Sequence, residues 1–494
     1  MKIRYALVAI VTALAMFGLF ALRDNMSDRK NEARTTVFKV ANLTELTTDP
    51  AEWGKNYPRQ YDSYKRTVDM ERTRYGGSEA DPGAMGAENV YKTVSNIERD
   101  PRLKAMWNGY AFALDFREDR GHAYMLHDQR ETERVLQRPQ VGSCLHCHAS
   151  TTVAYREAGL AAGAPGTLDD PLLSANGQAQ LLKGFPILSA LPYAEATQKV
   201  EHPVTCLDCH DPQSNQLRIT RPGLIHGLAA LAASDDPVPH LASVEKWRQG
   251  HRAQPYDANT LASRQELRSL VCAQCHVEYY CAPKETLFFP WRKGLKMEQL
   301  EAVYDEHKFP DGTPFVDFTH KVSGAPAYKA QHPEFELWSQ GVHARAGVSC
   351  ADCHMPYLRE GAMKVSDHHV RSPLLNEAKA CQVCHRASAE ELFQRVHIIQ
   401  DRTAALMSRA LDAIVALIND TEAAMAAGAT AEQLAEARRF QTKAQWRVDY
   451  INAENSMGFH APQEAARILG EAIDYAQQGR LRLAKLGPLA SVAP

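Results

Sequence analysis

The sequence predicts a mainly α chain with little strand, and three observations carry that reading. Five Cys-x-x-Cys-His segments occupy residues 144–148, 206–210, 272–276, 350–354 and 381–385. The gaps between them, of 57, 61, 73 and 26 residues, carry many Gly and Pro, which break helices into short pieces. From residue 389 the texture changes, and apolar side chains recur at near-helical spacing. The unequal gaps leave no repeat period, so a solenoid is not expected.

Each Cys-x-x-Cys-His segment is the pattern of a covalent haem attachment site. The thioether cysteines are Cys144, Cys147, Cys206, Cys209, Cys272, Cys275, Cys350, Cys353, Cys381 and Cys384. The proximal iron ligands are His148, His210, His276, His354 and His385. With 11 Cys and 20 His among 494 residues, chance would place roughly 0.01 such segments here, so five are not accidental. A zinc knuckle or redox dithiol also uses Cys-x-x-Cys, but zinc coordination demands no histidine after every second cysteine. The fold class is therefore a multihaem cytochrome c fold, with short helices and loops around five haems and long C-terminal helices.

Ten of the eleven cysteines are consumed in this way, leaving Cys281, which reads as a small buried residue. No structural disulfide is expected, which is unusual for an exported chain of this size. The haems take over the cross-linking. Aromatic content of 8% is ordinary, so they also supply much of the core's bulk.

Along the chain, Lys2 and Arg4 precede residues 5–22, which carry no charge. As a helix this run spans about 27 Å, near the hydrocarbon thickness of a bilayer. Residues 1–24 therefore read as a signal peptide or an uncleaved N-terminal membrane anchor. Cleavage would use Ala13-Leu14-Ala15 and would strand residues 16–22 on the mature end. An uncleaved anchor accounts for the full length and keeps the basic residues cytoplasmic. Either element directs the chain out of the cytoplasm, to the periplasm.

Residues 25–42 are polar and read as a tether. Residues 43–388 read as the pentahaem region, the catalytic one if any of its haems has an open face. It opens with short helical stretches between Pro50 and Pro139, broken by Tyr75-Gly76-Gly77 and Asp81-Pro82-Gly83. Residues 389–494 form the long C-terminal helices. Leu392, Val396, Ile399, Leu406, Leu411, Ile414 and Leu417 mark the first, which Gly428 interrupts. Thr430 with Gln433 makes a capping box for the second, which runs toward Ser456. Pro462 suits the first turn of a third, continued by Leu469, Ile473 and Leu481. Their apolar stripes must be buried, partly on the haem region and partly in a dimer interface. A net charge of −3 and a pI near 6.7 give no footprint for nucleic acid.

Iron has a second axial position, and fifteen further histidines remain to fill it. A haem with histidine on both faces is closed and suits electron transfer, whereas an open face admits a substrate. Spacing alone does not choose the distal ligands.

Seven stretches carry a resemblance: Ala51-Glu-Trp-Gly-Lys-Asn-Tyr-Pro58, Arg120-Gly-His-Ala123, Asp128-Gln-Arg-Glu-Thr132, Leu217-Arg-Ile-Thr-Arg-Pro222, Cys272-Ala-Gln-Cys-His-Val-Glu-Tyr-Tyr280, Lys329-Ala-Gln-His-Pro-Glu334 and Phe459-His-Ala-Pro462. In these, and in their order, the chain resembles the ammonia-forming cytochrome c nitrite reductases. The resemblance implies His122, His343, His368 and His460 as distal ligands, with His369 a competitor for His368. It leaves open the haem on Cys144 and Cys147, with Arg130, Tyr279 and His332 as its catalytic residues. It also implies one calcium ion held by the Glu278 carboxylate, the Tyr279 and Lys329 carbonyls and the Gln331 side chain.

These assignments make chemical sense. Arg130 is a permanent cation able to orient nitrite, and His332 is of the side-chain type suited to donating protons. Tyr279 offers a phenol hydrogen bond. Calcium favours oxygen ligands and would stiffen Tyr279 and His332 through their neighbours. The family's usual Cys-x-x-Cys-Lys at the catalytic haem is Cys-x-x-Cys-His here, so imidazole replaces an amine below the iron, as in a branch of that family. The resemblance further implies six-electron reduction of nitrite to ammonium, a homodimer, and a membrane quinol-oxidising multihaem cytochrome as donor. Two alternatives stay open: a pentahaem electron carrier without catalysis, and a related reductase acting mainly on hydroxylamine or sulfite.

Overall fold

The computed structural model describes residues 2–35, 39–86, 89–250, 252–281, 283–361 and 363–486. Residues 36–38 of the expected tether and 487–494 of the C-terminal region lie outside the described residues, as does Met1. The first helix, Lys2–Thr35, continues past the apolar run into the segment read as a tether. Its stretch Lys2–Asn31 is long and apolar enough to cross a membrane and is not buried against the rest of the protein. A signal sequence and an anchor both meet that description.

Between Pro50 and residue 388 every helix is short, the longest being the 16-residue Ala175–Ala190. Strand is confined, among the described residues, to three two-stranded antiparallel pairs. Ala80–Met85 pairs with Tyr91–Thr93, so Asp81-Pro82-Gly83 lies inside a strand instead of a turn between helices. An isolated hairpin has free edges on both strands, and Pro82 can present its missing donor outward there. The hairpin of Tyr357–Glu360 and Met363–Ser366 follows the fourth Cys-x-x-Cys-His segment and delivers the chain to His368.

Three long helices close the fold: Ala389–Ala426, Ala431–Ala453 and Pro462–Ala484. The Thr430–Gln433 capping box forms as expected, and Pro462 occupies the first turn of the last helix. Gly428, at φ +90°, ends the first where a side chain would be strained. Leu411, Ile414 and Leu417 pack inward with Trp446, Val448, Ile468 and Leu469 in one core shared with the haem region. Gly479 permits close approach, since a Cβ there would sit 2.8 Å from a Leu417 methyl. The architecture is mainly α, as the periodicity and breakers indicate.

Candidate haem and active site

Each Cys-x-x-Cys-His segment is one helical turn. In the second, third and fifth, the histidine amide donates to the carbonyl of the first cysteine at 2.8, 3.0 and 2.9 Å. The other two histidines end the helices Leu145–His148 and Cys350–His354. A turn places residues i, i+3 and i+4 on one side, so both sulfurs and the imidazole address the same volume.

Four of the five motif histidines face a second histidine. His276 faces His122, His210 faces His368 and His385 faces His343, each with ring centres 6.3 Å apart. His354 faces His460 at 6.4 Å. Two imidazoles on opposite sides of one metal, each bound through nitrogen at about 2.0 Å, have centres a little over about 6 Å apart. One continuous cavity of about 1570 Å³ runs between the four pairs, lined by both cysteines of each of the last four segments. These residues fit haem groups closed on both faces. His369 is buried but faces no second histidine among the described residues, whereas His368 does.

Long-range packing sets the pairs. The His460 carbonyl lies where a Cβ at Gly341 would intrude, which brings the turn carrying His343 against His460. Arg120 clasps Asp128 through both backbone and guanidinium, fixing the loop that presents His122. Gly121, at φ +94°, makes that loop's left-handed bend.

His148 differs. No histidine ring faces it among the described residues, and its Nδ1 lies 3.1 Å from Asp119 Oδ2. His332 also lies 6.4 Å from His276, yet both turn Nδ1 toward Glu334 Oε1, at 3.7 and 3.6 Å. A carboxylate, not a shared metal, separates those two rings.

Tyr279 and His332 are brought together by two chain segments that run side by side. The His332 amide donates to Val277 O at 3.3 Å, and Phe335 N donates to His276 O at 3.1 Å. Burial pushes the Tyr279 phenol well above 10, so it stays a protonated donor. Arg130 ends the helix Met125–Arg130, which packs against the Leu145–His148 turn. Its Nε donates to Thr197 Oγ1 at 2.8 Å, and its Nη2 to the Thr197 and Val200 carbonyls at 2.8 and 3.0 Å. Nη1 has no protein partner among the described residues. No hydrogen bond joins Arg130 to Tyr279 or His332 there.

Beside them lies an oxygen-rich set. Glu278 is fully buried; Oε1 accepts from Tyr304 Oη at 2.8 Å and Oε2 from Gln331 N at 2.7 Å. No basic side chain pairs with it among the described residues. A buried carboxylate without a cation is costly. The Tyr279 carbonyl has no donor there, and Lys329 O receives only a 3.4 Å contact from Gln331 Nε2. These donors fit a hard divalent cation. No cluster of three or more His, Cys, Asp or Glu marks a metal site among the described residues, because two of the four donors are main-chain carbonyls.

Sequence reasoning missed four carboxylates that organise this region. Asp119 approaches His148, Glu334 lies between His276 and His332, and Glu454 contacts His460 Nδ1. Asp449 binds Lys329 Nζ and Ala330 N, both at 3.0 Å. Glu334 and Asp119 lie in or beside quoted stretches, but nothing in their spacing assigns them a partner. Cys281, expected to be buried, is partly exposed.

The description of the cytochrome c552 family matches residues 49–493. A cytochrome c-552 from Parabacteroides distasonis is 34% identical over 485 residues, covering 96% of this chain and 84% of the relative. One from Bacteroides fragilis is 34% identical over 481 residues, covering 95% and 84%. The catalytic subunit of the cytochrome c nitrite reductase from Desulfovibrio desulfuricans, described with two calcium sites, is similar in structure. The TM-score is 0.70 at 28% identity, covering 92% of each chain. By residue match, identity and shared fold, this chain belongs to the cytochrome c552 family and is a haem c protein.

Proposed function

We propose that this chain is a periplasmic nitrite reductase, carrying six electrons and eight protons to nitrite to yield ammonium and two waters. The site is the haem on Cys144 and Cys147, with His148 beneath it. One observation supports this reading: four motif histidines face a second histidine, and among the described residues His148 faces none. Bound haem supplies an iron with one open face and a route for electrons from its four closed neighbours.

The protein's own groups supply the rest. Arg130 is anchored on one edge by Thr197 and Val200, so its remaining Nη1 is preorganised to hold an anion. Tyr279 keeps its proton and donates a hydrogen bond to a substrate oxygen. His332 delivers protons, its Nδ1 directed toward Glu334. Glu278, Tyr279, Lys329 and Gln331 would hold a calcium ion, which would neutralise the buried carboxylate and stiffen Tyr279 and His332 through their chain neighbours.

Five haems hold at most five electrons, fewer than one turnover needs. An outside donor, read as a membrane quinol-oxidising multihaem cytochrome, or haems connected across a homodimer on the C-terminal helices, is therefore part of the mechanism. The N-terminal helix suits retention at the inner membrane. The test is spectroscopic. Purified holoprotein should show one high-spin haem signal that changes on adding nitrite. A wholly low-spin spectrum would reduce the chain to an electron carrier. Turnover of nitrite with reduced viologen should exceed that of hydroxylamine and sulfite, or the substrate assignment is wrong.

A further inference from the structure

We infer that Asp119 is a positioning residue that tunes the iron at the open haem through His148. The inference rests on the reading that the haem on Cys144 and Cys147 has the open face.

With Nε2 of His148 directed at iron, the ring's proton must sit on Nδ1, and that atom is 3.1 Å from Asp119 Oδ2. The two groups are at ion-pair distance without the alignment of a linear hydrogen bond. Both side chains are mostly buried, 13% and 17% exposed. The partners of the other proximal histidines differ. His210 and His354 donate from Nδ1 to the main-chain carbonyls of Asn215 and Arg371, both at 3.1 Å. His276 stands 3.6 Å from Glu334, which it shares with His332. His385 has no Nδ1 partner among the described residues. His148 is thus the one proximal ligand with a carboxylate of its own at contact distance.

Asp119 is also undiluted and held in place. No Lys or Arg pairs with it among the described residues, so no cation offsets its charge at the imidazole; the carboxylates of Glu118 and Asp128 also feel it. Its loop is pinned on both sides. Thr93 Oγ1 donates to Glu118 O at 2.5 Å, Asn96 Nδ2 to Glu118 Oε1 at 3.0 Å, and Arg120 is bound to Asp128. A neutral carbonyl accepts the imidazole proton weakly. A carboxylate at ion-pair distance places its negative charge behind the ring, which makes the imidazole a stronger electron donor to metal. A stronger proximal donor stabilises the oxidised iron and lowers its potential.

Among the described residues a carboxylate also meets Nδ1 of another haem-pair histidine, Glu454 at His460, there as a hydrogen bond, in a pair that faces His354. That pair provides an internal control.

The experiment uses full-length holoprotein and two readouts besides turnover. These are the potential of the high-spin haem in a redox titration followed by electron paramagnetic resonance, and the iron–histidine stretch of the reduced protein by resonance Raman. In the unmodified protein the stretch should lie above that of a histidine bonded to a backbone carbonyl. Asp119→Asn should lower the stretch and shift the high-spin potential upward, leaving the low-spin haems in place, and Asp119→Glu should fall between. Glu454→Gln should shift a low-spin component alone. An ordinary stretch in the unmodified protein overturns the proposal even if Asp119→Asn does not assemble. So does an unmoved potential in Asp119→Asn, or an equal high-spin shift in Glu454→Gln. Absence of any high-spin haem in the unmodified protein sinks instead the open-face reading on which this rests.

Discussion

Arg130 gives the sharpest quantitative test. Three hydrogen bonds to Thr197 and Val200, of 2.8 to 3.0 Å, occupy its Nε and Nη2, leaving Nη1 for the substrate. One charge-assisted hydrogen bond to a bound anion contributes about 1.5–3 kcal/mol. At about 1.4 kcal/mol per tenfold, Arg130→Ala should raise half-saturating nitrite about 10- to 150-fold. Arg130→Lys keeps the charge but loses the planar fork, so its loss should be smaller. Thr197→Val removes one acceptor while both carbonyls remain, a change of about 1 kcal/mol and hence about fivefold. The assay is nitrite turnover with reduced viologen at matched haem content, together with nitrite titration of the high-spin signal. Unchanged half-saturation in Arg130→Ala with all haems present would remove Arg130 from the site. An equal effect in Arg130→Ala and Thr197→Val would show that anchoring, not substrate contact, is measured.

Four further outcomes are expected. His343→Ala should open the haem of the fifth segment and add one high-spin component; an unchanged spin count would break the His343–His385 pairing. Metal analysis should find bound calcium, and Glu278→Gln should lower calcium content and turnover more than haem content; a calcium-free active protein refutes the site. Asp449→Ala leaves Lys329 buried without its partner, a loss of about 3–5 kcal/mol, and an unaltered melting temperature would contradict it. Burial beside Phe335 and Trp338 holds His240 at about 4 against an ordinary 6.5. Because the unfolded imidazole binds the proton more readily, stability should fall as pH drops from 6.5 through 4, by about 2–3 kcal/mol. His240→Gln should flatten that slope in denaturant titrations at several pH values.

Some of the fold was legible because its causes are local. Thr430 and Gln433 cap a helix through atoms three residues apart, and Pro462 starts one by its own ring geometry. The stripe from Leu392 to Leu417 needed only a helical period. Asp81-Pro82-Gly83 misled because proline breaks helices everywhere but is tolerated on a hairpin edge, and whether an edge exists depends on Tyr91–Thr93 pairing with it.

Haem attachment was readable from the chain alone, since two sulfurs and an imidazole within one helical turn are a property of five consecutive residues. The family resemblance nominated the histidines of the opposite faces without saying which served which haem. In the tertiary structure the His122 ring lies against His276, His368 against His210, His343 against His385 and His460 against His354. That structure also left His148 with a carboxylate and, among the described residues, no second histidine ring. The reason is physical. An axial pair is a distance between side chains remote in sequence, set by how loops such as that at Gly121 and turns such as that at Gly341 pack. No spacing along the chain encodes that distance.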